Sequence, residues 1–148
     1  MPTVVMDRPA WRAERGLDVA AYRRAAVGGS VEAMANLGAL YLDRMEPPNV
    51  DAARYWLEPG ARAGNIGAMV RLGFLCMEHL GEFDTARLWL TSAAQAGDAY
   101  AMHNLGILYS RSDPPDFDAA REWFTRAVGS GNVVSAIVLR NLERYQPV

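Results

Sequence analysis

Three stretches of this chain repeat one another in register. Tyr55-Trp56-Leu57, Leu88-Trp89-Leu90 and Glu122-Trp123-Phe124 each place a tryptophan eight residues ahead of a glycine, at Gly64, Gly97 and Gly131. Ala21-Tyr22 to Gly28-Gly29 is a weaker fourth copy. The closing glycines, Gly29, Gly64, Gly97 and Gly131, are separated by 35, 33 and 34 residues. That period is the length of a helix-turn-helix unit, so the repeat predicts an all-α chain of stacked antiparallel hairpins, an α-solenoid in which no unit can hide its apolar face without a neighbour.

The residues around each glycine explain how such a unit turns. A glycine accepts the left-handed conformation that ends a helix, and Ser30, Asn65, Asp98 and Asn132, which follow the four glycines, are side chains suited to cap the next one. Four tight corners are expected. The helix after each of the first three corners reads Met34-x-x-Leu37-Gly38-x-x-Tyr41, Met69-x-x-Leu72-Gly73-x-x-Cys76 and Met102-x-x-Leu105-Gly106-x-x-Tyr109, with apolar residues on one face. A helical glycine costs ~1 kcal/mol against alanine, so three of them at one repeat position predict close helix contact there.

The other helix of each unit is expected to begin at an N-capping Asp51, Asp84 or Asp118, stapled by Val50, Phe83 or Phe117, with its tryptophan turned inward. Glu46-Pro47-Pro48-Asn49 and Asp113-Pro114-Pro115-Asp116 stop the preceding helices, whereas Leu80-Gly81-Glu82 makes the joint between them. Pro59 is expected to kink or end its helix early. Residues 133–145 form a closing helix, in which Arg140 takes the place of the core glycines and Glu143 that of the core tyrosines. Residues 18–145 are thus the array, and residues 1–17 an extension with a short leading helix from Asp7 to Gly16.

Ala21-Tyr22-Arg23-Arg24-Ala25-Ala26-Val27-Gly28-Gly29 and Trp89-Leu90-Thr91-Ser92-Ala93-Ala94-Gln95-Ala96-Gly97, with Ala-Met-x-Asn-Leu-Gly at 33–38 and 101–106, resemble the Sel-one-like repeat. The Leu-Gly-x-x-Tyr helices are similar to the related tetratricopeptide pattern. The resemblance implies a right-handed superhelix and a scaffold that holds a protein or peptide. It also implies that the Leu-Gly-x-x-Tyr helices line a concave side, with Ala35, Asn36 and Ala39, then Val70, Arg71 and Phe74, then Tyr100, His103, Asn104 and Ile107 on their groove-facing stripe. The expected partner-binding residues are Asn36, Arg71, Phe74, Tyr100, His103, Asn104 and Ile107. There the amides suit a peptide backbone, Arg71 a carboxylate, and Phe74 with Ile107 an apolar anchor. Asn36 and Asn104 equally suit a role in satisfying nearby backbone, and Phe74 a place in the core.

Composition narrows the function further. With 51% hydrophobic and 22% charged residues and a net charge of -2, the chain has the make-up of a globular protein with no electrostatic reason to bind nucleic acid or an anionic membrane. Asp7 and Arg8 fall where a secretory signal would be apolar, and no run of ~18 apolar residues occurs, so a cytoplasmic protein is expected. All 15 basic residues are arginine, which fits a GC-rich bacterial genome.

Cys76 is the one cysteine, at the repeat position of Tyr41 and Tyr109, and reads as a buried core thiol. His79 and His103 have no ligand partners at helical spacing, so neither a metal nor any other cofactor is expected. Ser92, His103 and Asp98 are the nominal nucleophile, base and orienter, but no nucleophile elbow surrounds them and no enzyme is expected. Arg54, Arg87 and Arg121 stand three residues after Asp51, Asp84 and Asp118, a spacing for ion pairs that leaves a ladder able to grip carboxylates. An alternative use of the chain is homodimerisation through Val134, Ile137 and Val138 of the last helix.

Overall fold

The computed structural model describes residues 19–144, and all regular structure among them is helical. The elements are α1 (Val19–Val27), α2 (Val31–Asp43), α3 (Val50–Arg62), α4 (Ile66–Leu75) continued by a π-helical turn (Cys76–Leu80), α5 (Phe83–Gln95), α6 (Ala99–Ser110), α7 (Phe117–Gly129) and α8 (Val133–Arg144). They fall into two compact units, divided after Arg71 within α4. In the first unit α1 packs on α2 and α2 on α3; in the second α5 packs on α6, α6 on α7 and α7 on α8. The expected Asp7–Gly16 helix and Trp11 lie outside the described residues.

The four corners share one chemistry. Gly29, Gly64, Gly97 and Gly131 have φ of 96°, 92°, 91° and 97°. The residue after each glycine then serves two helices at once. Its N–H closes the outgoing helix, as Ser30 does on the Ala25 carbonyl (2.9 Å), Asn65 on Gly60 (3.1 Å), Asp98 on Ala93 (3.1 Å) and Asn132 on Ala127 (2.9 Å). Its side chain caps the incoming helix, accepting from the N–H of Ala33 (3.2 Å), Ala68 (2.8 Å), Ala101 (2.8 Å) and Ser135 (3.0 Å). Each such cap stabilises its helix by ~0.5–2 kcal/mol.

Joints between units differ in length but converge on one bond. The N–H groups of Asn49, Glu82 and Asp116 donate to the carbonyls of Tyr41 (2.9 Å), Cys76 (2.9 Å) and Tyr109 (3.0 Å), which share a repeat position. In the shortest joint, which lacks proline, the backbone reaches that bond through the π turn, closed by Gly81 at φ 67°. This joint bond moves the caps. Asn49 and Asp116, not Asp51 and Asp118, accept from the first-turn N–H groups of Ala52 (3.0 Å) and Ala119 (2.9 Å), and Glu82 precedes α5 without a side-chain cap. The expected aspartates sit inside the first turn, where their charge meets the positive end of the helix dipole.

Two further expectations are corrected by packing. Trp56 is buried, at 6% exposure, but Trp89 and Trp123 are only half-buried. The deepest residue of each second helix is the next one: Leu57, Leu90 or Phe124. Each fills the space left by a glycine of the facing helix, since a Cβ at Gly38, Gly73 or Gly106 would lie 2.3 Å from Leu57, 2.5 Å from Leu90 or 2.6 Å from Phe124. Close helix approach, not an aromatic layer, is therefore what the repeated glycine provides. Pro59 neither stops nor shortens its helix, because α3 runs through it to Arg62.

Candidate functional site

On the first helix of each unit the buried and open faces separate cleanly. Leu37, Leu72, Leu105 and their neighbouring glycines are buried, while the proposed groove positions stay open to differing degrees. Ala35 is the exception. It is 8% exposed, packed where Gly60 of α3 comes close, and belongs to the core.

In the first unit the stripe comprises Asn36 and Arg71. Asn36 is half-buried on α2, and its amide makes no hydrogen bond with any described residue. Arg71 is already engaged: its Nε lies 3.3 Å from the Asp43 carboxylate and its Nη1 3.5 Å from the Gly67 carbonyl. Asp43 stands two turns after Asn36 on the same α2 face, so the guanidinium leans back along that stripe. A carboxylate from a partner would share or compete for the guanidinium with Asp43, both side chains being exposed.

The second unit carries the rest. Phe74 is 37% exposed, with its ring edge-on to His79 at 6.1 Å, so it is not a core residue. Tyr100 is 69% exposed, and His103, Asn104 and Ile107 are half-buried. Like Asn36, Asn104 makes no side-chain hydrogen bond among the described residues, which removes the reading that these amides serve neighbouring backbone.

His103 is the hinge of this surface. Asn132 Oδ1 accepts from the N–H of Ser135 (3.0 Å) and from its hydroxyl (3.2 Å), leaving the Ser135 oxygen to accept from His103 Nδ1–H at 2.7 Å. The ring rests edge-on to Phe124 at 5.5 Å. Burial lowers its pKa from the ordinary histidine value, since the charged form loses water there. The bond ties α6 to α8 and brings a second stripe beside the first. By repeat register Val134 matches Tyr100 and Ile137 matches His103, and both are open, at 53% and 61% exposure. The sequence signal for this was the register itself, which the homodimer reading of those residues passed over.

The nominal catalytic set does not assemble. Ser92 donates to the Leu88 carbonyl, Asp98 caps α6, and His103 faces Ser135. Ser135 is fully buried and out of a substrate's reach. Among the described residues no group of three or more His, Cys, Asp or Glu side chains could hold a metal ion, and Cys76 is buried. Arg87 and Arg121 pair with Asp84 and Asp118 as the spacing suggested, while Arg54 reaches Glu58 at 3.9 Å.

A family model described as Sel1 repeat matches residues 31–65, 66–98 and 99–132, more than half of the chain. This chain belongs to the Sel1 repeat family. Each matched repeat ends at the capping residue of a corner or immediately beside it, so the family unit and the structural unit coincide. The fold is that of a Sel1 repeat protein from Oxalobacter formigenes, whose crystal structure superposes with a TM-score of 0.68 at 26% identity. The alignment covers 82% of this chain and 51% of that one, so the chain spans about half the length of that relative. Comparison with curated proteins gave no match. Sel1 repeats generally mediate protein–protein interaction and are generally scaffolds without catalysis. Among the described residues no helix is long and apolar enough to cross a membrane.

Proposed function

We propose that this Sel1 repeat chain is a non-enzymatic scaffold that holds a peptide or protein segment on the open stripe of its first helices. The residues that carry it are Asn36 and Arg71 in the first unit and Phe74, Tyr100, His103, Asn104 and Ile107 in the second, with no cofactor, nucleic acid or membrane involved. The observation that supports this most lies in the second unit, where the Asn104 amide, with no hydrogen-bond partner among the described residues, shares α6 with exposed Tyr100 and half-buried Ile107. The amide is open to solvent, so the donors and acceptors of a peptide backbone can take the place of water on it.

The test is a binding comparison. A partner recovered by affinity capture is titrated against the wild type, Phe74→Ala and Arg71→Glu. Weaker binding with an unchanged melting curve supports the surface, and equal affinity for all three proteins removes it. A second reading, homodimerisation through α8, draws on Val133 at 77% exposure together with Val134 and Ile137. One twelve-residue helix offers little of the ~800 Å² per partner that stable interfaces bury. Light scattering across a concentration series settles it, because a monomer at every concentration defeats the dimer.

A further inference from the structure

In the second compact unit α6 shows how a first helix seats a second one. α7 lies antiparallel on it. The end of α7 meets Met102, whose sulfur is 3.4 Å from the Ser130 hydroxyl; its middle places Phe124 over Gly106; its start meets Tyr109, whose carbonyl accepts from the Asp116 N–H. By repeat register the same line on α8 runs through Ala136, Arg140 and Glu143, and among the described residues no helix covers it. Arg140 and Glu143 are exposed.

The flank of α7 is open at the same place. Val128 is 38% exposed, whereas Ala26, Ala61 and Ala94, at the matching position of the earlier second helices, are buried. With Val133 at 77% and Ile137 at 61%, Val128 makes one end of this seat apolar. A helix placed there meets both α7 and α8, in an interface of the small, transient class.

Charge distinguishes the other end. Arg87, Arg111, Arg121 and Arg126 of this unit each hold a carboxylate, while Arg140 and Arg144, one turn apart on α8, hold none among the described residues. Glu143 leaves that end net positive. Arg140 also fills the space that Gly106 leaves for Phe124, so a large apolar side chain meets a clash there and a carboxylate meets a cation. A second copy of the chain does not supply such a helix from its α1, which carries Arg23 and Arg24 and no acid.

We infer that the seat formed by α7 and α8 takes an amphipathic helix of another protein, antiparallel to α8, with acidic residues in its first half against Arg140 and Arg144 and apolar residues in its last half against Val128, Val133 and Ile137. No residue of the binding stripe proposed above lines this seat, so the two surfaces stand or fall separately.

The experiment uses the full chain with isotopically labelled methyl groups and four capped peptides the length of α7, each held helical by a side-chain staple. The lead probe has glutamates in its first half, one at the site Phe124 holds in α7, and leucines in its last half. The second probe has leucine in place of that one glutamate, the third has lysine for every glutamate, and the fourth reverses the lead sequence. The expected result is saturable movement of the Val128, Val133 and Ile137 methyl signals by the lead probe. The leucine probe should bind about fivefold more weakly or worse, and the lysine and reversed probes more weakly than the lead. Joint replacement Arg140→Glu and Arg144→Glu, at exposed positions, should weaken the lead probe about tenfold or more and admit the lysine probe in its place, an exchange that loss of folding does not mimic. Binding of the leucine, lysine or reversed probe to the wild type as tight as the lead overturns the assignment. Movement only of other signals, or of none by any probe, overturns it as well, and the Phe74 and Arg71 comparison still decides the binding stripe.

Discussion

α6 and α8 begin with the same corner and end in different company. Both follow a left-handed glycine and a capping side chain, Asp98 or Asn132, and both keep an open stripe on one side. Among the described residues α6 receives Phe124 of α7 in the space left at Gly106, whereas α8 carries Arg140, exposed, at that position. The contrast separates what starts a hairpin, which is local capping, from what closes one, which is a vacancy on the facing helix.

Filling or emptying that vacancy should produce the largest effects. Phe124→Ala removes a fully buried ring and should destabilise the chain by ~3–5 kcal/mol in denaturant titrations, with Trp123→Ala costing less because Trp123 is half-buried. Gly106→Val forces side-chain atoms into the space Phe124 occupies and should cost ~1–3 kcal/mol by the same measurement; a stability equal to wild type would mean the helices can separate freely. Asn132→Ala removes both the α8 cap and the acceptor of the Ser135 hydroxyl, for ~1–2 kcal/mol, read as early fraying of α8 in hydrogen exchange. Arg140→Ala should change stability by no more than ~0.5 kcal/mol, since its side chain is exposed.

A pH series sharpens the comparison at the point where the two helices meet. The folded-state pKa of His103 lies below its unfolded value, so the unfolded chain binds the proton first. Stability is therefore fully present above the unfolded histidine value of ~6.5 and declines as pH falls toward the lower folded one. His103→Gln should flatten that part of the profile, and an unchanged slope would place its origin elsewhere.

Much of this was legible in the residues. The period, the four corners and their caps depend on contacts within about five residues, and local sequence specifies such contacts outright. The groove positions Asn36, Arg71, Phe74, Tyr100, His103, Asn104 and Ile107 came from the resemblance to tetratricopeptide-like arrays, and they stand as a proposal. The joint caps could not be placed, because Asn49 and Asp116 are fixed by carbonyls at Tyr41 and Tyr109, across a turn whose path the sequence leaves open. Nor could the rank of tryptophan against its successor, since both are large and apolar, and only the facing glycine decides which goes deeper.

What the sequence determined by itself is therefore the hairpin and its repetition, because glycine's freedom at positive φ and a side-chain cap are short-range physics. Tertiary structure alone decided that Leu57, Leu90 and Phe124 are the keystones and that Arg71 already holds Asp43. It alone also decided that the Asn36 and Asn104 amides stay open and that His103 joins α6 to α8 through Ser135. Each of those depends on atoms brought together from distant stretches of chain, where a shift of one helical position would exchange a buried partner for solvent.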